Sequence, residues 1–298
     1  MGKRKARWLW WGVLGWFLVM CNLPLTPVAG GGPSGNTYAT MTALYAQVPT
    51  LVLTVQVATA TPVPVVSPAY TPTLPTPPGP LRQGGTVVAH RRTAPPLVDG
   101  LLSDWPDLPY TADKVVWGPD QWSGPQDLSA RFAVAWDEAG LYLAARVTDD
   151  VYAQVSQGYN LFKGDALEIL LDRDLYGDFS SATLNDDDYH LGLSPGRRTP
   201  GNQPEVFLWF PQGIRGPRPQ VHLAARATEE AGGYTVEVFV PWDVLAGPLS
   251  PGAYAGFAFR VSDNDLLGQA VQQSMVANIG PPHVYNNPTT WGNLILLP

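Results

Sequence analysis

From about Thr86 onward the chain predicts an all-β domain, a two-sheet antiparallel β-sandwich, on three observations. Short segments in which apolar and polar residues alternate follow one another, separated by Gly, Pro, Asp and Asn, the pattern of half-buried strands joined by turns. About nine such segments occur while windows of helical periodicity are few, so sheets must supply both layers of a core. Proline is densest before residue 81, and the prolines of the rest of the chain fall between the alternating segments, where they do not interrupt ladders.

Residues 1–30 read as a signal peptide or membrane anchor, because Lys3, Arg4, Lys5 and Arg7 precede an apolar run from Trp8 to Met20. That run is short for a bilayer span, so it is either cleaved or extended past Pro24 by the apolar stretch from Leu23 to Val28. Cys21 stands where a lipid could be attached, although Met20 takes the place of the small residue such a site wants. The segment addresses the domain to the extracellular space or cell surface, tethered to a membrane if uncleaved or lipidated. Residues 31–85 read as a disordered Pro/Thr-rich linker. No Asp, Glu, Lys or Arg occurs between Arg7 and Arg82, and the repeated prolines up to Pro80 exclude helix and sheet, leaving extended chain. Residues 51–57 have strand-like composition but no partner nearby, and read as an apolar patch of this stalk.

Residues 86–298 carry the strands. Phe132, Val134 and Trp136 alternate with small residues, residues 137–140 turn the chain, and Leu141 to Val147 runs back as a hairpin. Further strands are expected over 166–171, 189–193, 206–210, 221–227, 234–240, 256–261 and 292–296, with one helical turn at 242–245 started by Pro241. Cys21 is the only cysteine, so the domain stands on its core without an internal disulfide. The formal net charge is −7, and −11 once the four basic residues of the leader are set aside, a surface that repels nucleic acid.

The order of motifs from Val87 to Pro298 resembles the family 9 carbohydrate-binding modules and their DOMON-like relatives. The pieces that carry the resemblance are Val98-Asp-Gly-Leu-Leu-Ser-Asp-Trp105, Ala135-Trp-Asp-Glu-Ala-Gly-Leu-Tyr-Leu143, Val147-Thr-Asp-Asp150, Gly164-Asp-Ala-Leu-Glu-Ile-Leu-Leu-Asp172, Asp186-Asp-Asp-Tyr-His190, Gly233-Tyr-Thr-Val-Glu-Val-Phe-Val-Pro-Trp242 and Trp291-Gly-Asn-Leu294. The resemblance implies non-catalytic binding of a polysaccharide or oligosaccharide, the sugar being held between two aromatic rings while polar side chains bond its hydroxyls. Carried over, the rings fall on Phe162 and Tyr285 and the acid on Glu168, which strand alternation turns away from Leu167, Ile169 and Leu171. Arg260 stands where an amide is expected, and His190 belongs to the same candidate site. The remaining hydrogen-bonding positions are Gly192, Ser194 and Ala270, which cannot grip a hydroxyl, so a structural or adhesive surface module is the alternative. Trp122 and Trp209 are competing platforms, whereas Trp105, Trp136 and Trp242 read as core.

Two cofactor classes arise. Asp172, Asp174 and Asp178, followed by Asp186, Asp187 and Asp188, crowd oxygen ligands together and form a candidate structural calcium site, though without EF-hand spacing, since Tyr176 falls on a ligand position. Asp149, Asp150, Asp263 and Asp265 offer other oxygens, at strand ends rather than in one cluster. Haem is the second class, with His190, Met275, His222, His283 and Lys163 as ligands, and the scarcity of His and Met argues against it. Glu168 and His190 could pair as acid and base, but no nucleophile, zinc-protease or phosphate-loop motif accompanies them, and no enzyme is expected.

Overall fold

The computed structural model of the protein describes residues 74–230 and 232–298. The leader, most of the linker and residues 51–57 therefore lie outside the described residues. Fourteen strands make up the domain: β1 (Thr86–Arg91), β2 (Tyr110–Ala112), β3 (Lys114–Trp117), β4 (Leu128–Trp136), β5 (Gly140–Asp149), β6 (Ala166–Asp172), β7 (Asp188–Ser194), β8 (Glu205–Phe210), β9 (Gly216–Pro217), β10 (His222–Ala227), β11 (Tyr234–Pro241), β12 (Tyr254–Asp263), β13 (Ser274–Ala277) and β14 (Gly292–Leu297). Only short 3-10 turns interrupt them, and the expected helical turn is one of these, at Trp242–Leu245.

The strands run in the order β10-β11-β5-β4-β1-β14-β12-β6-β7-β8-β9, with β2 added to β4 and β13 joining β12 to β3. The sheet curls on itself and packs its two halves face to face, which gives the expected sandwich. One feature departs from the expected antiparallel arrangement: β1 pairs in parallel with both β4 and β14, so the sheet is mixed. The side chains that alternate inward meet in one core, where Phe132 of β4 lies 4.5 Å from Phe259 and 6.4 Å from Phe257 of β12, ring centre to ring centre. Burial of such faces, at about 25 cal/mol per Å² of apolar surface, is what a domain without an internal disulfide has to stand on. Trp136 and Trp242 are in this core, with their indole N–H groups donating to the Leu297 and Asp137 carbonyls. Trp105 is also buried but packs on the far face of β4 and β5, where its N–H donates to Glu237 at 2.9 Å.

The half formed by β12, β6 and β7 positions the site. Leu167, Ile169 and Leu171 face the core, and Glu168, Leu170 and Asp172 face the other way, as alternation requires. That outer face is covered all the same: Leu170 packs with Ala258, Ile279 and Trp291, and Glu168, met by His190 and Arg260, is only 2% exposed. The segment ahead of β1 also touches the domain, since the Tyr254 hydroxyl donates to the Pro75 carbonyl and Arg82 is buried.

Candidate functional site

Sheet register brings the predicted residues onto one outer face. Glu168 of β6 lies opposite Arg260 of β12 on one side and Gly192 of β7 on the other, with His190 one pleat along β7. His190 Nε2 and Glu168 Oε2 are 2.9 Å apart, and Arg260 Nη1 is 3.4 Å from the same oxygen. Burial pushes the Glu168 carboxyl up, but Arg260 and His190 outweigh burial and hold it at about 2. A carboxyl held that low has no proton to give near neutral pH, so Glu168 stands there as a fixed negative charge. Burial, with Arg260 nearby, takes His283 down to about 4, leaving it neutral beside the cluster.

Aromatic rings run across this charged floor. The Trp209 ring is 6.2 Å from Phe162 and 4.7 Å from His190, His190 is 5.6 Å from Tyr285, and the Arg260 guanidinium lies 5.8 Å from the Tyr285 ring centre. Phe162 and Tyr285 are thus the ends of one series, linked by Trp209 and His190. Tyr285 is half exposed, whereas Trp209 shows little more than an edge. Trp209 lies flat across Gly192, where any Cβ would collide with the indole, and its N–H donates to the Tyr159 carbonyl at 2.9 Å. Gly192 is therefore the room Trp209 needs, not merely a lost polar side chain. A register shift between His190 and Leu191, where β7 pairs with β8, accompanies this placement.

The other competing platform, Trp122, packs against the core with its N–H on the Leu128 carbonyl. Ser194 is buried and Ala270 is exposed. Sequence reasoning missed Gln272, whose amide reaches Ser262 Oγ at 3.1 Å and stands 3.9 Å from Met275 Sδ. It supplies an amide two residues beyond Ala270, a displacement legible only once β13 is paired with β12. Arg260 donates to the same sulfur. Of the other residues named for haem, Lys163 lies near the Phe162 ring, while His222 stands on β10 in the other half of the sheet, against Phe239.

A second arrangement lies at one end of the sandwich. Asp149, Asp150, Asp263 and Asp265, expected to be scattered, come together there with Asp127 and Asp165, forming three overlapping trios whose carboxylate oxygens lie within 4.8 Å of one another. Asp127, Asp149 and Asp263 each use one oxygen to fix themselves, whereas Asp165 uses both, accepting from Ala153 N and Asn264 N. Asp149 Oδ1 accepts from Val151 N at 2.9 Å and Asp263 Oδ2 from Ser274 Oγ at 2.9 Å, while Asp149 Oδ2, Asp263 Oδ1 and Asp265 Oδ1 are buried without a hydrogen-bond partner. Burial, reinforced by neighbouring carboxylates, pushes Asp149 up to about 8, Asp263 to about 7 and Asp265 to about 6, and raises Asp165 well above its usual range. Unshared, preoriented carboxylate oxygens are the donor set that a hard cation such as calcium takes.

The loop predicted to hold calcium, between β6 and β7, is arranged differently. Arg82 Nη1 stands 2.7 Å from Asp172 Oδ2, and Nη2 is 4.0 Å from Asp178 Oδ1. Asp187 Oδ2 accepts from Asp174 N at 3.0 Å, Asp188 Oδ2 accepts from Asn185 N at 2.8 Å, and Asp186 faces solvent.

Residues 98–297 match the family model described as "Carbohydrate family 9 binding domain-like". Two curated relatives, the endo-1,4-beta-xylanases A of Thermotoga neapolitana and Thermotoga maritima, are each 26% identical over 221 residues, 74% of this chain. The match spans only 19% and 18% of the length of those relatives. Among solved structures, a family 9 carbohydrate binding module from Caldicellulosiruptor kristjanssonii in complex with cellotriose superposes with a TM-score of 0.52 at 19% identity, over 71% of this chain and 93% of that one. A family 9 carbohydrate binding module from the same organism in complex with glucose gives 0.51 at 20% identity, over 71% of this chain and 95% of that one. At these identities the likeness is one of fold.

Proposed function

The chain belongs to the carbohydrate family 9 binding domain-like family, and from that membership we propose that its sandwich binds a neutral oligosaccharide or polysaccharide end, without cleaving it, on the outer face of β12, β6 and β7. Phe162 and Tyr285 flank the ligand, Trp209 and His190 form its floor, and Glu168, Arg260 and Gln272 meet its hydroxyls. The observation that carries the reading is the ring series from Phe162 to Tyr285 set around a Glu168 kept ionised by Arg260 and His190. A pyranose presents C–H faces that pack on rings and hydroxyls that donate to a carboxylate, and this face offers both. Cellotriose and glucose, the ligands of the similar solved module, and the xylan of the xylanase relatives set the first sugars to try.

Calorimetric titration of the protein with cellotriose and xylotriose tests this. Binding by the wild type, abolished in the Phe162→Ala/Tyr285→Ala double variant with its near-ultraviolet circular dichroism unchanged, supports the site. Equal binding by both rules it out, and binding of no glycan at all leaves the structural or adhesive module.

Two further readings complete the proposal. A structural calcium ion is held by Asp149, Asp263 and Asp265 with Asp127, Asp150 and Asp165 around it, neutralising carboxylates that otherwise repel. The N-terminal residues export the protein and the linker displays the domain outside the cell. Among the described residues no helix is long and apolar enough to cross a membrane. Mass spectrometry of the mature N-terminus distinguishes cleavage, retention and lipidation at Cys21.

A further inference from the structure

Arg82 lies ahead of the family-matched span, yet it is among the most deeply buried charged side chains of the domain, 1% exposed. Its backbone is held in place and its side chain is given room. Asn293 holds the Arg82 backbone on both sides, Oδ1 accepting from its N–H and Nδ2 donating to its carbonyl, each at 2.9 Å. The Phe179 ring lies 5.8 Å from the guanidinium carbon. On the sheet side Gly256 leaves the space open, since a Cβ there would collide with Nη1. The guanidinium thus reaches the loop between β6 and β7 with Nη1 on Asp172. Asp172 Oδ2, Asp178 Oδ1 and Asp188 Oδ1 are buried there without a hydrogen-bond partner, as are Nε and both Nη atoms of Arg82, so guanidinium and carboxylates meet as charges, and Asp187 stands close enough to repel the carboxylates.

We propose that Arg82 is the resident cation of this loop: a guanidinium supplied by the segment preceding the family domain stands where the carboxylates would otherwise gather a divalent ion. The loop consequently fastens the N-terminal segment to the sandwich and takes no calcium while Arg82 is in place. Removing a buried arginine leaves those carboxylates unpaired, the condition under which a metal ion gains most. This inference is independent of sugar binding and of the acidic cluster at the strand ends.

Calcium stoichiometry of the full chain, by calorimetry, tests it. Arg82→Gln is expected to bind one calcium equivalent more than the wild type, and Arg82→Gln/Asp172→Asn to lose that extra equivalent. A folded Arg82→Gln that gains none overturns the proposal. Should Arg82→Gln not fold, Asp172→Asn alone decides. An unchanged calcium count with a lowered Tm upholds Arg82 as the partner, and the loss of one equivalent shows that the loop already held a metal.

Discussion

Glu168 is the residue at which burial and charge compete most openly. Its pKa of about 2 in the folded state lies below the ordinary carboxylate value, so the folded form binds fewer protons than the unfolded between pH 2 and 4.5. The stability this contributes is complete above about pH 4.5 and is lost as pH falls toward 2. Glu168→Gln should flatten that acid limb of a Tm-against-pH series and abolish sugar binding, because Arg260 loses its counter-charge. Gly192 is the second test at this scale. Gly192→Ala forces Trp209 off the strand and should destabilise the domain by about 1–3 kcal/mol, measured by denaturant titration. Alternation alone turned Glu168 outward in the sequence, and the family resemblance pointed to Phe162 and Tyr285. Trp209 was legible only as a platform competing with Trp122, because its position depends on the missing side chain at Gly192 and on a register shift, neither of which has a local signal.

At the scale of elements, long alternating strands were legible and short ones were not. β4, β5, β6 and β11 carry their period in their own residues, while β2, β3, β9 and β13 span only two to four residues and exist through their partners. β1 was not among the expected strands, and its parallel pairing on both sides is decided by β4 and β14 far along the chain. The same distance concealed the acidic cluster. Asp149 and Asp263 end strands 114 positions apart in sequence, and β4–β5, β12–β6 and β12–β13 pairing brings those ends together. Here the pKa shifts run opposite to that of Glu168. Asp149 at about 8 and Asp263 at about 7 bind protons in the folded state that the unfolded chain releases near pH 4. Metal-free protein should therefore lose stability as pH rises from about 4 to 8, and millimolar calcium should remove most of that slope. Asp263→Asn relieves repulsion in the metal-free form and removes a ligand in the loaded one. Its Tm should rise by roughly 2–4 °C in chelator for each kcal/mol relieved, and fall below wild type in calcium, as read by scanning calorimetry.

For the whole molecule, the sandwich separates three tasks: a dry core between the two halves, a ring-lined face outside β12, β6 and β7, and carboxylates gathered at one end. A neutral ligand on the ring-lined face makes affinity nearly indifferent to ionic strength despite the net charge of −7, so titrations at low and at about 0.5 M salt should agree within a factor of about two. Composition announced the acidic surface and the separate regimes of linker and domain, but not that Arg82, the first charge after Arg7 and near the end of the expected linker, would be buried inside the domain. The most direct test of where the sugar lies is nitrogen-15 NMR of the indole N–H groups during titration with cellotriose. With sugar on the ring-lined face, the Trp209 signal shifts while those of Trp105, Trp136 and Trp242 stay in place. A saturable shift at Trp105, on the far face of the other half, with Trp209 unmoved, would contradict that placement.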